Sequence, residues 1–214
     1  MPSLAASPVM PDIRRTDASA VFISHWYVPD RAHGLRDLDD VLAQWEGAAW
    51  PAGFVSFSCF LSTDDDTVLT YAQCADAGSY RPFVRALRGP AGAEPVEYRL
   101  HRSVVLGGAA QPPGCMVTAL FDIDGPERQR RIVASVADSL EDARGRLPGM
   151  VSANFHLSTD GTRVLNYAEW TSDQAHIAFL EGAARAQALR ITTDMPGVRP
   201  IGYKRYHLHR SMSA

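Results

Sequence analysis

Two kinds of apolar pattern alternate along this chain. Val21–Val28 (VFISHWYV) is a β-branched and aromatic run of strand length. Leu35, Leu38, Val41, Leu42 and Trp45 then recur at helical spacing and form one apolar stripe. Pro51-Ala52-Gly53 turns the chain. Phe54–Ser62 and Thr67–Cys74 read as two strands around the polar run Asp64-Asp65-Asp66, a hairpin. Tyr80, Phe83, Val84 and Leu87 mark a second helix, and Val96–Leu106 a closing strand. The same order follows again. Met116–Ile123 is a strand, and Pro126–Arg146 a helix with Ile132, Val133, Val136, Ala137 and Leu140 on one face. Pro148-Gly149 turns the chain. Ser152–Ser158 and Arg163–Trp170 form a hairpin around Asp160-Gly161, residues 173–191 are helical, and Ile201–Ser211 closes the set.

The repetition extends to residue identity. FVSFSCFLSTDDDTVLTYAQC from Phe54 and MVSANFHLSTDGTRVLNYAEW from Met150 align without a gap, with about half the positions identical. YRLHRS from Tyr98 is echoed by YHLHRS from Tyr206. Each copy has the order βαββαβ, the ferredoxin-like arrangement. Its helices cover one sheet face, and the other face must be buried elsewhere. Two tandem copies can bury those faces against each other. The predicted fold is therefore α+β: tandem ferredoxin-like repeats forming a dimeric α/β barrel within one chain, a pseudo-dimer. Residues 1–18, rich in Pro, Ala and Ser, are expected to be a flexible arm. Residues 19–106 are the first repeat, 107–115 a Gly/Pro-rich linker and 116–214 the second repeat.

Composition narrows the classes. At 46% hydrophobic residues the chain has enough apolar surface for a core. A net charge of −3 with no basic run argues against a nucleic-acid partner. No stretch approaches the 18 apolar residues of a membrane span, and residues 1–18 lack the apolar segment of a signal peptide. Three cysteines without CxxC spacing read as reduced thiols in a cytoplasmic protein. No P-loop, GxGxxG, GxSxG or HExxH pattern occurs. His207 and His209 alternate on one strand face, but no third metal ligand accompanies them.

The candidate chemistry lies where the copies differ. Asn166 interrupts an apolar strand face formed by Val164, Ala168 and Trp170, and a buried amide is costly unless it is partnered. The indole N–H of Trp170 also needs a partner when buried. The first copy has Thr70, Cys74 and Phe60 where the second has Asn166, Trp170 and His156. Residues needed for folding alone would be needed twice. Their loss from one copy points to a site in the second copy and a degenerate first copy.

FHLSTDGTRVLNYAEWTSDQAH resembles the antibiotic biosynthesis monooxygenase family, in particular its cofactor-free anthrone oxygenases of aromatic polyketide pathways. The resemblance is good over residues 116–190 and weaker over 21–103. It implies a dimeric α/β barrel and a cofactor-independent monooxygenase, with O₂ as co-substrate and an aromatic polyketide as the small-molecule substrate. It implies that Asn166 and Trp170 hold the substrate's carbonyl and phenol oxygens, and that His156 is a further pocket histidine. Arg190 lies where these enzymes carry a pocket arginine. His176 stands where they carry a tyrosine, a departure at the proton-transfer step. The implied reaction takes an anthrone or phenol to a quinone or hydroxylated product, with His156 or His176 as a proton shuttle. A two-residue turn at Asp160-Gly161 would pair Phe155 with Asn166 and send His156 to the other sheet face; a three-residue loop would pair His156 with Asn166. A polyketide cyclase, a barrel that binds an intermediate without turnover, and a haem protein with His176 as axial ligand are the competing functions. Further association into a homo-oligomer is compatible with all of them.

Overall fold

A computed structural model describes residues 5–7, 9–87, 94–107 and 112–214. Residues 1–4 and 8 of the expected arm, and 108–111 of the expected linker, lie outside the described residues. The elements run β1 (Ala5–Ser7), β2 (Ala20–Tyr27), α1 (Arg31–Gly47), β3 (Phe54–Ser62), β4 (Thr67–Cys74), α2 (Ala77–Ala86) and β5 (Val96–Val105). There follow β6 (Cys115–Ile123), α3 (Pro126–Asp142), β7 (Met150–Ser158), β8 (Arg163–Trp170), α4 (Asp173–Glu181), α5 (Ala183–Thr193) and β9 (Val198–Ser213). The repeated βαββαβ order is present, and the fold class is α+β. None of the described helices is long and apolar enough to cross a membrane.

Local chemistry accounts for the helix starts. Asp30 caps α1 by accepting from the His33 N–H, and Asp76 caps α2 by accepting from Gly78 and Ser79. Ser172 caps α4 through the Ala175 N–H. Pro126 opens α3 in the first turn, where its missing N–H costs nothing. The expected single helix over 173–191 is two helices, because Gly182 adopts an extended conformation (φ −90°, ψ 163°) between α4 and α5.

The chain divides into two compact units, residues 1–98 with 206–214, and residues 99–205. Both boundaries fall inside strands, β5 and β9. In the first unit β3 pairs antiparallel with β4 and with β9, and β2 pairs with β4 and β5. β1 pairs with β9 at Ala5↔Ser213 to Ser7↔Ser211, so part of the N-terminal segment is held as an edge strand. The core of this unit is aromatic. Trp45 of α1 stacks on Phe57 of β3 with centroids 3.8 Å apart, and Tyr80 of α2 stacks on Phe22 at 4.0 Å.

In the second unit β8 is central, paired antiparallel with β6 and β7. Ile132, Val133, Ala137 and Leu140 of α3 pack in one cluster with Val117, Ala153, Phe155, Val164, Ala168 and Trp170 of the strands. Over the whole chain the strand order is β1-β9-β3-β4-β2-β5-β7-β8-β6, with a further β9–β6 pairing.

Candidate active site

The candidate residues Asn166 and Trp170 lie on β8. Four residues, 159–162, separate β7 from β8, and the resulting register pairs Phe155 with Asn166, Ala153 with Ala168 and Met150 with Trp170. Side chains alternate across a sheet, so Val164, Asn166, Ala168 and Trp170 share one face. That is the face packed against α3, since Val164, Ala168 and Trp170 join its apolar residues in one cluster.

The same register corrects the expectation for His156. It pairs with Leu165, one position away from Asn166, and so points to the opposite sheet face. There it is fully buried, with Nδ1 3.0 Å from the Asn154 carbonyl oxygen. Burial pushes its pKa down to about 4. Its neighbours on that face form a polar chain: Ser152 donates to Glu169, Asn154 donates to Ser152, and Ser103 donates to Asn154.

Between Asn166 and Trp170 on β8 stands Ala168, paired with Ala153 of β7 and with Val117 of β6. The matching pair in the first unit is Phe57 and Ala72, and the Phe57 ring fills the space under Trp45. The second copy has therefore exchanged a ring for a methyl group at the floor of its helix-covered face. Sequence reasoning passed over Ala153. The signal was present in the aligned copies, where FVSF is replaced by MVSA.

Three buried side-chain atoms lack a hydrogen-bond partner among the described residues: Asn166 Oδ1, Trp170 Nε1 and Arg205 Nε. Buried polar groups are nearly always bonded, and leaving one unbonded costs about 1–3 kcal/mol. Two of the three are the polar residues the repeat comparison selected. The third belongs to an arginine it did not select. The available signal was a charge reversal, since Glu97 stands before YRLHRS where Arg205 stands before YHLHRS.

α4 brings His176 to this group. Gly149, at φ 82°, lets the turn before β7 approach α4; a Cβ there would collide with Ala175. His176 is buried, with its ring centroid 5.2 Å from Trp170 and 5.5 Å from Tyr203 of β9. Arg205 Nη1 lies 3.2 Å from His176 Nδ1, and Arg205 Nε lies 3.6 Å from Asp173 Oδ1. Burial first, then the Arg205 charge, lower the His176 pKa to about 4. Cys115, paired with Trp170 across the β6–β8 ladder, has its thiol pushed up to about 12, by burial first.

Arg190 is not part of this cluster. It sits in the last turn of α5 with an exposed side chain, and Arg205 supplies the cation instead. His209 pairs with Asp39 at 2.8 Å. Among the described residues no group of three or more His, Cys, Asp or Glu side chains is placed to hold a metal. A groove of about 440 Å³ opens elsewhere in the same unit, lined by Arg99, His101, Gln129, Leu157 and Ser158 among others.

The two copies have the ferredoxin-like α+β fold, and comparison with known proteins bears on that fold. No protein-family model matches the chain. A stretch of 48 residues is 48% identical to the tetracenomycin-F1 monooxygenase of Streptomyces glaucescens, covering 22% of this chain and 43% of that one. The chain thus spans less than half of the curated relative it matches. The crystal structure of an anthrone oxidase-like protein superposes over 93% of this chain and 94% of that one, with a TM-score of 0.72 at 15% identity, which is a likeness of fold. A monooxygenase from the gene ActVA-Orf6 of Streptomyces coelicolor, solved with nanaomycin D, is 32% identical over 48% of this chain and 88% of that one, with a TM-score of 0.37. Over that 48-residue stretch the sequence is similar to a monooxygenase, and over most of its length the fold is similar to that of an anthrone oxidase-like protein.

Proposed function

We propose that the chain is a cytoplasmic, cofactor-independent monooxygenase that oxidises an aromatic polyketide intermediate with O₂ at the Asn166–Trp170 face of its second copy. The observation that carries this reading is the pair of orphaned atoms. Asn166 Oδ1 is an acceptor waiting for a donor, and Trp170 Nε1–H is a donor waiting for an acceptor. A hydroxylated aromatic ketone offers both, a phenol O–H and a carbonyl oxygen. The two residues are four apart on one strand, about 13 Å between Cα atoms at 3.3 Å per residue, so they suit the two ends of a fused-ring molecule. Ala153 and Ala168 provide a flat, apolar floor between them. The curated relative is named as a monooxygenase of tetracenomycin F1, a name in keeping with that substrate class.

The chemistry asks little of the protein. The carbon between the rings of an anthrone is acidic, because its anion spreads over the aromatic system and onto the carbonyl oxygen. The anion passes one electron to O₂, and the two radicals join as a peroxide. Loss of water leaves a carbonyl. In sum, a CH₂ group and O₂ give C=O and H₂O. The protein orients the substrate, stabilises charge on its oxygen with Trp170 Nε1–H, and excludes water.

The test is turnover of a hydroxyanthrone by metal-free, flavin-free protein under ¹⁸O₂. One ¹⁸O atom in each quinone, with one O₂ consumed, is the expected result. Ring closure without O₂ uptake would instead identify a cyclase. Asn166→Ala should lower kcat/KM up to about 10-fold, the value of a neutral hydrogen bond, and Trp170→Phe about 10- to 100-fold, the value of a hydrogen bond to a charged group.

A further inference from the structure

We propose that His176 serves the reaction as a neutral hydrogen-bond donor, fixed in its Nε2–H form by Arg205, and that Arg205 is thereby a positioning residue. This rests on the reading of the site as an oxygenase pocket, but the state of the imidazole can be measured without substrate.

The tautomer follows from the partner. A guanidinium has five N–H donors, no acceptor, and no accessible deprotonation. With Arg205 Nη1 3.2 Å from His176 Nδ1, Nδ1 must present its lone pair. The ring proton of the neutral imidazole is then on Nε2. A second proton on Nδ1 would face a guanidinium N–H at hydrogen-bond distance. Arg205 is itself held, with its side chain 18% exposed and Nε 3.6 Å from Asp173. Asp173 lies in the first turn of α4, three residues before His176.

The other groups around the ring do not reverse this. From β8 comes the Trp170 indole, from β9 the Tyr203 ring and Arg205, and from α4 itself Phe179 and Asp173. Cys115 of β6, beside Asp173, is a neutral thiol. The one carboxylate in the group, that of Asp173, favours the imidazolium but is outweighed by burial and Arg205.

The consequence bears on mechanism. With the His176 ring centroid 5.2 Å from the Trp170 ring, the Nε2–H form adds a second uncharged donor to the site for the oxygen that gathers negative charge as the substrate ionises. The same nitrogen is closed as a base, because its lone pair is replaced by a proton. His176 therefore does not carry the proton released from carbon.

The experiment is ¹⁵N NMR of histidine-labelled full-length protein, with His176 assigned by loss of its signals in His176→Gln. In the wild type, Nε2 should be protonated and Nδ1 unprotonated from pH 7 down to about 5. In Arg205→Met the two tautomers should mix and the ring should titrate at higher pH, while Arg205→Lys should restore part of the Nε2–H population. Turnover gives an independent readout: the wild-type rate should show no titration near pH 6.5, and Arg205→Met should gain one. A wild-type His176 that is Nδ1–H, or that becomes cationic between pH 6 and 7, would overturn the proposal. Absence of O₂-dependent turnover with the Nε2–H form intact would instead overturn the oxygenase reading and leave the tautomer assignment standing.

Discussion

At the scale of single residues, two histidines with the same depressed pKa occupy different worlds. His156 lies on the sheet face away from Asn166, so His156→Phe, which copies Phe60 of the first unit, should leave kcat/KM unchanged. Its effect belongs to stability. A buried histidine whose pKa falls from 6.5 to about 4 is neutral when folded and protonates more readily when unfolded. The unfolded chain therefore binds more protons between those values, and stability is lost as pH falls from about 6.5 towards 4. The loss amounts to about 3 kcal/mol if the whole shift is realised. Thermal denaturation at pH 7 and pH 4.5 should show a smaller drop in Tm for His156→Phe than for the wild type. Arg190→Ala, on an exposed helix turn, should also leave turnover intact. The repeat comparison put Asn166 and Trp170 on one strand face, and the β8 register has them there, because two-residue periodicity settles that question. It could not place His156, because one residue of loop length decides the face. Arg205 escaped because its role depends on α4 and β9 meeting, a non-local contact.

At the scale of elements, the pair Ala153–Ala168 is where the packing of the two copies differs, since the first copy has Phe57 paired with Ala72. Ala153→Phe restores the residue of the first copy at that position. The ring should occupy the floor between Asn166 and Trp170 and lower kcat/KM by more than about 100-fold. The fold should survive with an overpacking cost of about 1–3 kcal/mol. Circular dichroism and a hydroxyanthrone assay measure the two effects separately. Gly149→Ala acts differently. It forces an L-residue to φ 82° and strikes Ala175, so it should displace α4 and with it His176, costing both stability and turnover. Strand and helix order was legible from apolar periodicity, and most boundaries fall within a few residues of those read. The break at Gly182 was not, since a helical stripe continues through one glycine without interruption. β1 was not legible either. Three residues of a Pro/Ala/Ser-rich segment become a strand only because β9 offers an edge to pair with.

At the scale of the whole molecule, duplication has produced two copies with one scaffold and unequal chemistry. The shared LST, VL, YA and LHRS positions build the strands of both units. In the first unit the helix-covered face is filled by Trp45, Phe57 and Tyr80; in the second it carries Ala153, Asn166, Trp170 and His176. The chain should therefore bind one substrate, not two, and restoring Asn and Trp at positions 70 and 74 should not create a second site while Phe57 fills the space.

The most direct test is a titration of ¹⁵N-labelled protein with a hydroxyanthraquinone, following the indole N–H signals. The sequence has four tryptophans, and the indoles of Trp26 and Trp50 already donate to Asp37 and to the Trp45 carbonyl. The signal lost in Trp170→Phe should move downfield as its orphaned N–H gains an acceptor, and should saturate at one equivalent. An unmoved Trp170 signal, or saturation at two equivalents with a shift at Trp45, would contradict a single working site in the second copy.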